Sequence, residues 1–376
     1  MVVLPVIIIF QKSGKYVNVR NTLTSITHRW MAWDADPEKS TTQSLTSNFM
    51  TWAKLAEAAV GIQLWDVSFA RAMEEKLLRS RASGIRLKDL ARMTSYFALF
   101  QYKGRNIPGM SNLYDFLISR VLEADLLPEL SEFHFASINF ITSLVMADRL
   151  PLDVCRILLS EQSLLNRLEK EAVSDLPLSH LYLLDCSLGI EAPEYDGPRL
   201  SSAALDQCKH HTESEIRLWK ESSTHTKNYH FFLTVYRTLL ELFNCSEDMI
   251  YMGPILPYCT TSDIRICLRN NRLIPAPSTV QPEGNLTRSE VVVPPGETWI
   301  ALLVIPTNLM ANRGVGQIFG SPHLKERHLR SLGYKVTSAY EIRWSSSGLD
   351  YLRMILTPFV RFGSFLKPAK KLRPYR

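Results

Sequence analysis

The chain has 376 residues, 46% of them hydrophobic and 21% charged. That is room for two or three domains at roughly 100–200 residues each, and the balance excludes collagen, an extended coiled coil and wholesale disorder. The net charge of +6 is unevenly spread: residues 1–300 carry 30 Lys/Arg against 34 Asp/Glu, and residues 301–376 carry 13 against three, Glu326, Glu341 and Asp350. So basic a C-terminal part points to a polyanionic partner, with nucleic acid ranked ahead of an anionic membrane or plain solubility.

Residues 1–48 read as a mitochondrial transit peptide and linker. The first 33 residues hold no acid, while Lys12, Lys15, Arg20 and Arg29 are spread among Ser and Thr. A secretory signal would place its charge before the apolar run, and here the charge follows Val2 to Phe10. That run is nine residues long and broken by Pro5; a membrane helix needs about 20, so no integral membrane association is expected. Pro37 and the Ser/Thr cluster predict a loop from Asp36 to Ser47.

Residues 49–190 have helical periodicity. Leu87, Leu90, Ala91, Thr94, Phe97 and Ala98 form one amphipathic stripe, ended by Gly104 and Pro108. Glu129 to Met146 predicts a second helix, with Phe133, Phe140, Ile141 and Leu144 on its apolar side. The chain also repeats at an offset of 44: Phe69, Met73, Leu77 and Leu78 map onto Leu113, Leu117, Val121 and Leu122, and Tyr96, Phe97 and Phe100 onto Phe140, Ile141 and Leu144. A two-helix unit recurring at this length predicts an α-solenoid-like array, with a weaker third copy over Ile157 to Leu184.

Residues 191–270 begin with a break at Pro193, Gly197 and Pro198 and turn helical again, including Tyr229 to Phe243. Residues 271–297 read as a proline-rich linker, with five prolines between Asn270 and Gly296. Residues 298–358 change to an α/β pattern. Trp299 to Ile305 is an apolar run of strand length, as a strand buried on both faces would be. A helix over Pro322 to Leu332 follows, with Gly333 placed for its C-cap; a strand over Tyr334 to Ala339 and a helix over Leu349 to Leu356 close the unit. Residues 359–376 form a basic tail, in which Arg361 to Arg376 holds six Lys/Arg and no acid. The cysteines Cys155, Cys186, Cys208, Cys245, Cys259 and Cys267 form no Cys-x-x-Cys pair and read as reduced, mostly buried thiols of an intracellular protein.

The run Gly320-Ser321-Pro322-His323-Leu324-Lys325-Glu326-Arg327-His328-Leu329-Arg330-Ser331-Leu332-Gly333-Tyr334-Lys335-Val336, followed by Glu341 and Trp344, resembles the RAP domain that closes the FAST-kinase-domain family of animal mitochondrial proteins. Leu183-Leu184-Asp185-Cys186 through Tyr195-Asp196-Gly197-Pro198-Arg199-Leu200 is similar to that family's second FAST region, and the helical repeats, including Leu87-Lys88-Asp89-Leu90-Ala91 and Leu150-Pro151, to the region before it. The resemblance spans residues 65–358. It implies FAST-type repeats over 49–190, a second FAST-type helical region over 191–270 and a small α/β RAP domain over 298–358 resembling the restriction-endonuclease fold. It further implies a matrix protein, with RNA granules in its range, that binds mitochondrial RNA, single-stranded in form, alongside other RNA-processing proteins.

Chemistry narrows the choice. No His-Arg-Asp, Asp-Phe-Gly or Gly-Lys-Ser/Thr sequence occurs, and Gly314, Gly316 and Gly320 are spaced one residue too long for a kinase loop, so kinase activity is rejected. A nuclease of the restriction-endonuclease type needs carboxylates on adjacent strands to hold magnesium. The strand Ala301 to Thr307 has no acid, leaving Glu297 and Glu341 as weak catalytic candidates. No Gly-x-Ser-x-Gly elbow occurs, His210-His211 lacks a His-Glu-x-x-His context, and no cofactor or metal site is expected. Phosphate contact is the better use of this domain, through Lys325, Arg327, His328, Arg330, Lys335 and Arg343. Lys367, Lys370, Lys371 and Arg373 of the tail would add salt-sensitive affinity. Tyr334 and Trp344 read more as core aromatics than as base-stacking platforms. Three functions follow in order: a non-catalytic RNA regulator, a RAP-domain ribonuclease acting on precursor RNA, and a protein-interaction scaffold.

Overall fold

The computed structural model describes residues 16–34, 45–79, 82, 84–106, 112–168, 176–221, 226–277, 286, 293–311, 318–344 and 347–362. Most of the transit-like segment, Gly314, Gly316 and the tail residues Lys367, Lys370, Lys371 and Arg373 lie outside the described residues. The chain divides into two compact units: Met1–Leu188, Glu194–Cys208 and Asn308–Leu324 in one, and Gly189–Pro193, Lys209–Thr307 and Lys325–Arg376 in the other.

The first unit is helical. Its helices are α1 (Tyr16–Asp34), α2 (Leu45–Gly61), α3 (Val67–Arg79), α4 (Leu87–Leu99), α5 (Leu113–Val121), α6 (Leu127–Glu132), α7 (His134–Met146), α8 (Leu152–Leu159) and α9 (Gln162–Leu168), followed by most of α10 (Leu178–Glu191) and the start of α11 (Ser202–Glu221). The offset of 44 carries α3 onto α5 and α4 onto α7. Burial follows it position by position: Phe69, Met73 and Leu77 are buried like Leu113, Leu117 and Val121, Leu78 and Leu122 are half-buried, and Tyr96, Phe97 and Phe100 are buried like Phe140, Ile141 and Leu144. Helix α4 packs against both α2 and α7, so one apolar helix fills the space between two neighbours.

One helix expectation needs correction. Glu129 to Met146 is two helices, because Phe133 leaves the helical region at φ −110° and ψ 65°. The Ser137 hydroxyl donates to the Leu130 and Phe133 carbonyls across the break, a side-chain bond that competes with the continuous helix. Phe133 therefore drops out of the apolar stripe and is 46% exposed.

Residues 183–186 and 195–200 meet in this unit. Arg199 donates to both carboxylate oxygens of the buried Asp185, at 2.7 and 2.8 Å, and to its carbonyl at 2.8 Å. Its neighbour Arg156 pairs with Asp196 at 2.6 Å and lies over the Tyr195 ring.

The second unit is α/β, and its sheet starts earlier than the sequence suggests. After α12 (Thr226–Phe243), strands β1 (Ile250–Gly253), β2 (Asp263–Arg269) and β3 (Arg272–Ile274) precede β4 (Glu297–Ile305). Strands β1 and β2 thus lie inside a stretch expected to be helical, and β3 inside the expected proline-rich linker. Strand β2 was hard to see because its alternation is masked: Ile264, Ile266 and Leu268 take one face, while Asp263, Arg265 and Cys267 on the other are also buried. The order is β1-β2-β4-β5, with β3 beside the far end of β2. β2 is antiparallel to β1, β3 and β4, and β4 runs parallel to β5 (Lys335–Tyr340) across the crossover helix α13 (Gly320–Ser331). The β2–β3 hairpin turns on Asn270 and Asn271, both at positive φ, as a two-residue hairpin requires. One face of the sheet packs against α12 and α14 (Gly348–Leu356) through Phe232, Val235, Leu239, Ile266, Ile300, Leu302, Leu352 and Leu356. All three elements predicted after β4 are present, as is the turn between the first two: Gly333 sits at φ +90°.

Candidate nucleic-acid interface

The basic candidates sort by where α13 puts them. Gly320 opens this helix in close contact with the first unit's backbone: a Cβ there would come within 2.5 Å of the Ala98 carbonyl oxygen. Its role is close approach, not a phosphate loop. Further along, in the second unit, Leu329 and His328 are fully buried, while Arg330 is half exposed.

Lys325 turns inward. Its ammonium lies 2.8 Å from Asp263 Oδ2, 2.9 Å from Oδ1 and 3.0 Å from the Thr261 hydroxyl, with the lysine side chain 12% exposed and the aspartate 3%. Burial opposes the Lys325 charge, yet the Asp263 carboxylate outweighs it and raises the pKa above the ordinary lysine value. A cation so paired is engaged in holding α13 to the start of β2.

Arg327 and His328 converge on Glu191 at the end of α10. Arg327 donates to Glu191 Oε1 at 2.8 and 3.0 Å, and His328 Nε2 lies 2.5 Å from the same oxygen. The other imidazole nitrogen, Nδ1, is 2.7 Å from the Tyr258 hydroxyl. A carboxylate only accepts, so Nε2 carries the proton and Nδ1 accepts from Tyr258. Every polar atom of the ring is then satisfied in the neutral form. Burial, first, lowers the His328 pKa, against the opposing pull of Glu191; the Glu191 carboxyl itself is held below its usual range, His328 and Arg327 outweighing its burial.

Arg330, Lys335 and Arg343 face solvent. Arg330 forms an i,i+4 pair with Glu326 at 2.7 Å while 54% exposed. Lys335 opens β5, and Arg343 lies in the turn after it, its guanidinium 5.4 Å from the Tyr340 ring centre. The aromatics are structural. Tyr334 and Trp299 stand around the buried Arg265, together with Tyr251, and burial pushes the Tyr334 hydroxyl up to about 12. Trp344 packs edge-on to Phe231 and Tyr351.

Both acidic candidates have partners. Glu297 accepts from Arg269 at 2.6 Å and from the Trp299 indole at 2.7 Å, which keep its carboxyl below the usual range. Glu341 accepts from the Thr307 amide and hydroxyl at 2.8 and 2.9 Å, capping the short turn that follows β4. They are not brought together, and among the described residues no group of three His, Cys, Asp or Glu is placed to hold a metal ion. Sequence reasoning missed Asp263, Arg265, Tyr258 and Glu191. The one available signal was the pair of charges, Asp263 and Arg265, set at alternate positions within an Ile-x-Ile-x-Leu strand pattern. All six cysteines are unpaired thiols, five of them buried, as expected. Among the described residues no helix is long and apolar enough to cross a membrane.

No family model matches the chain. Similarity appears instead to individual proteins. Over 212 residues, 54% of this chain and 26% of the relative, it is 26% identical to "FAST kinase domain-containing protein 5, mitochondrial" of Mus musculus. The proteins of that name from Homo sapiens and Macaca fascicularis are each 28% identical, over 52% of this chain and 24% of their own length. The chain thus spans about a quarter of the length of the curated relatives it matches. Together the three relatives support a FAST-kinase-domain-like family assignment for this chain.

Proposed function

We propose that this chain is a non-catalytic RNA-binding regulator of transcript processing, stability or translation in the mitochondrial matrix, including its RNA granules. The observation that carries the reading is the display of Arg330, Lys335 and Arg343 on solvent-exposed parts of α13, β5 and the following turn, within the segment that holds 13 Lys/Arg against three acids. Cations spaced over successive elements suit a phosphate backbone. Lys367, Lys370, Lys371 and Arg373 extend that positive charge in sequence. Lys325, Arg327 and His328 serve the same function from inside, by fixing the helix that presents Arg330.

The mitochondrial names of the relatives support the location. Strand order β1-β2-β4-β5, with β2 antiparallel to its neighbours and a helical crossover to a parallel β5, supports a RAP domain of restriction-endonuclease type; its sheet then includes β1 to β3 as well as residues 298–358. The repeated α3/α4 and α5/α7 pairs support an α-solenoid-like FAST region that offers an extended surface of its own. The engaged carboxylates of Glu297 and Glu341 support a binding role over cleavage. Fluorescence anisotropy of labelled single-stranded RNA with the full chain tests the proposal: binding at physiological salt with the RNA left intact in magnesium is the expected result. No binding would overturn it in favour of a protein scaffold, and magnesium-dependent cleavage would overturn its non-catalytic part.

A further inference from the structure

The helical unit contains a groove of about 650 Å³ between α2, α4, α7 and α9. Phe133 and Phe135 line it, 46% and 58% exposed. Packing of the repeat does not demand this exposure. Forty-four residues earlier, the equivalent positions are Asp89 and Ala91, both buried, while the core positions around them match copy for copy. Two large apolar rings held in water without a packing reason mark a contact surface.

The remaining lining decides what the contact is. Lys88 is exposed on α4, and Arg92 and Arg167 stand on α4 and α9. Two acids, Glu57 and Glu132, share the rim; Arg92 pairs with Glu57 at 3.2 Å and with the buried Asp89 at 3.5 Å, and Arg167 lies 3.3 Å from His134 Nδ1, so Lys88 is the cation most exposed for an anionic partner. The rest of the wall mixes the polar Ser95 and Asn139 with the apolar Val60, Ala91 and Ala136. A partner helix wants a continuous apolar stripe. Aromatic faces set among cations and small hydrogen-bonding groups match a single strand, whose bases stack while its phosphates meet the cations. The geometry points to this groove as a stacking site for unpaired bases of single-stranded RNA, with Phe133 and Phe135 as the platforms and Lys88, Arg92 and Arg167 facing the backbone. The site lies wholly in the helical unit, distinct from Arg330, Lys335 and Arg343, and it builds on the reading of the chain as an RNA-binding protein.

The test compares the full chain's affinity for an unstructured single-stranded RNA with that for the same sugar–phosphate strand carrying abasic sites. Stacking on the platforms predicts at least a roughly tenfold preference for the strand with bases. A Phe133→Leu/Phe135→Leu variant keeps the apolar surface and removes the π faces. It should lose that preference and keep the salt dependence, whereas Phe133→Tyr/Phe135→Tyr should retain both. Thermal melting of each variant should match the parent, because both rings lie at the surface. Salt-sensitive RNA binding with an unchanged preference in the leucine variant overturns the groove and leaves the RNA-binding reading standing. Absence of any RNA binding by the parent chain overturns both, and a protein partner captured equally by the parent and leucine forms would show that the groove takes an apolar segment instead.

Discussion

Substituting Lys325 separates a structural cation from a phosphate contact. In Lys325→Met the Asp263 carboxylate, 3% exposed, loses its counter-charge. Removing one member of a buried pair costs about 3–5 kcal/mol, most of it the stranded charge that remains. Replacing both members with apolar groups, as in Lys325→Met/Asp263→Leu, removes that stranded charge and should return stability to within about 1 kcal/mol of the parent. The assay is urea unfolding of the full chain followed by circular dichroism. With denaturant slopes of about 1–3 kcal/mol per molar, the single variant's transition should fall by on the order of 1–5 M and the double variant's should recover. RNA binding below the transition should keep the parent's salt dependence. A Lys325→Met protein that unfolds with the parent and loses about 0.7 of its salt slope would refute the reasoning, since that is the signature of one lost phosphate contact.

Tyr258→Phe leaves His328 Nδ1 as a buried acceptor without a donor, and stability should drop by about 1–3 kcal/mol in the same unfolding assay. In the parent, stability should decline as pH falls below about 6.5: His328 is held neutral in the fold, so the unfolded chain takes up the proton first. Glu191, whose folded pKa is depressed, adds a further loss below about 4.5, and melting temperature across a pH series reads both. Asp185→Ala strips the partner from Arg199, which retains some access to water; a loss near the lower end, about 3 kcal/mol, is expected by chemical denaturation. Gly320→Ala drives a methyl toward the Ala98 carbonyl at 2.5 Å and should destabilise by about 1–3 kcal/mol, measured as a melting shift.

Periodicity was most legible where burial was one-sided and local. The 44-residue repeat, the strand from Trp299 to Ile305, the helix ahead of Gly333 and the Gly333 cap were all readable, because apolar spacing alone specifies them. Phe133 misled because an aromatic at helical spacing ordinarily marks core, whereas Ser137 diverts the backbone there. Strand β2 was obscured by its own chemistry: Asp263 and Arg265 look solvent-facing in sequence and are buried through Lys325 and an aromatic surround. The same long-range pairing limits site reading. Lys325 and Arg330 are alike in a sequence window, and only partners far along the chain, such as Asp263 and Glu191, decide which cations point inward.

The central claim is that the exposed cations of the α/β unit grip RNA phosphates. Its most direct test is the slope of log affinity against log salt for single-stranded RNA, measured on the full chain and on Arg330→Ala/Lys335→Ala/Arg343→Ala. At about 0.7 per phosphate, three lost contacts should flatten the slope by about 2 and weaken binding at physiological salt, with melting behaviour unchanged. Equal slopes for the two proteins would contradict the account.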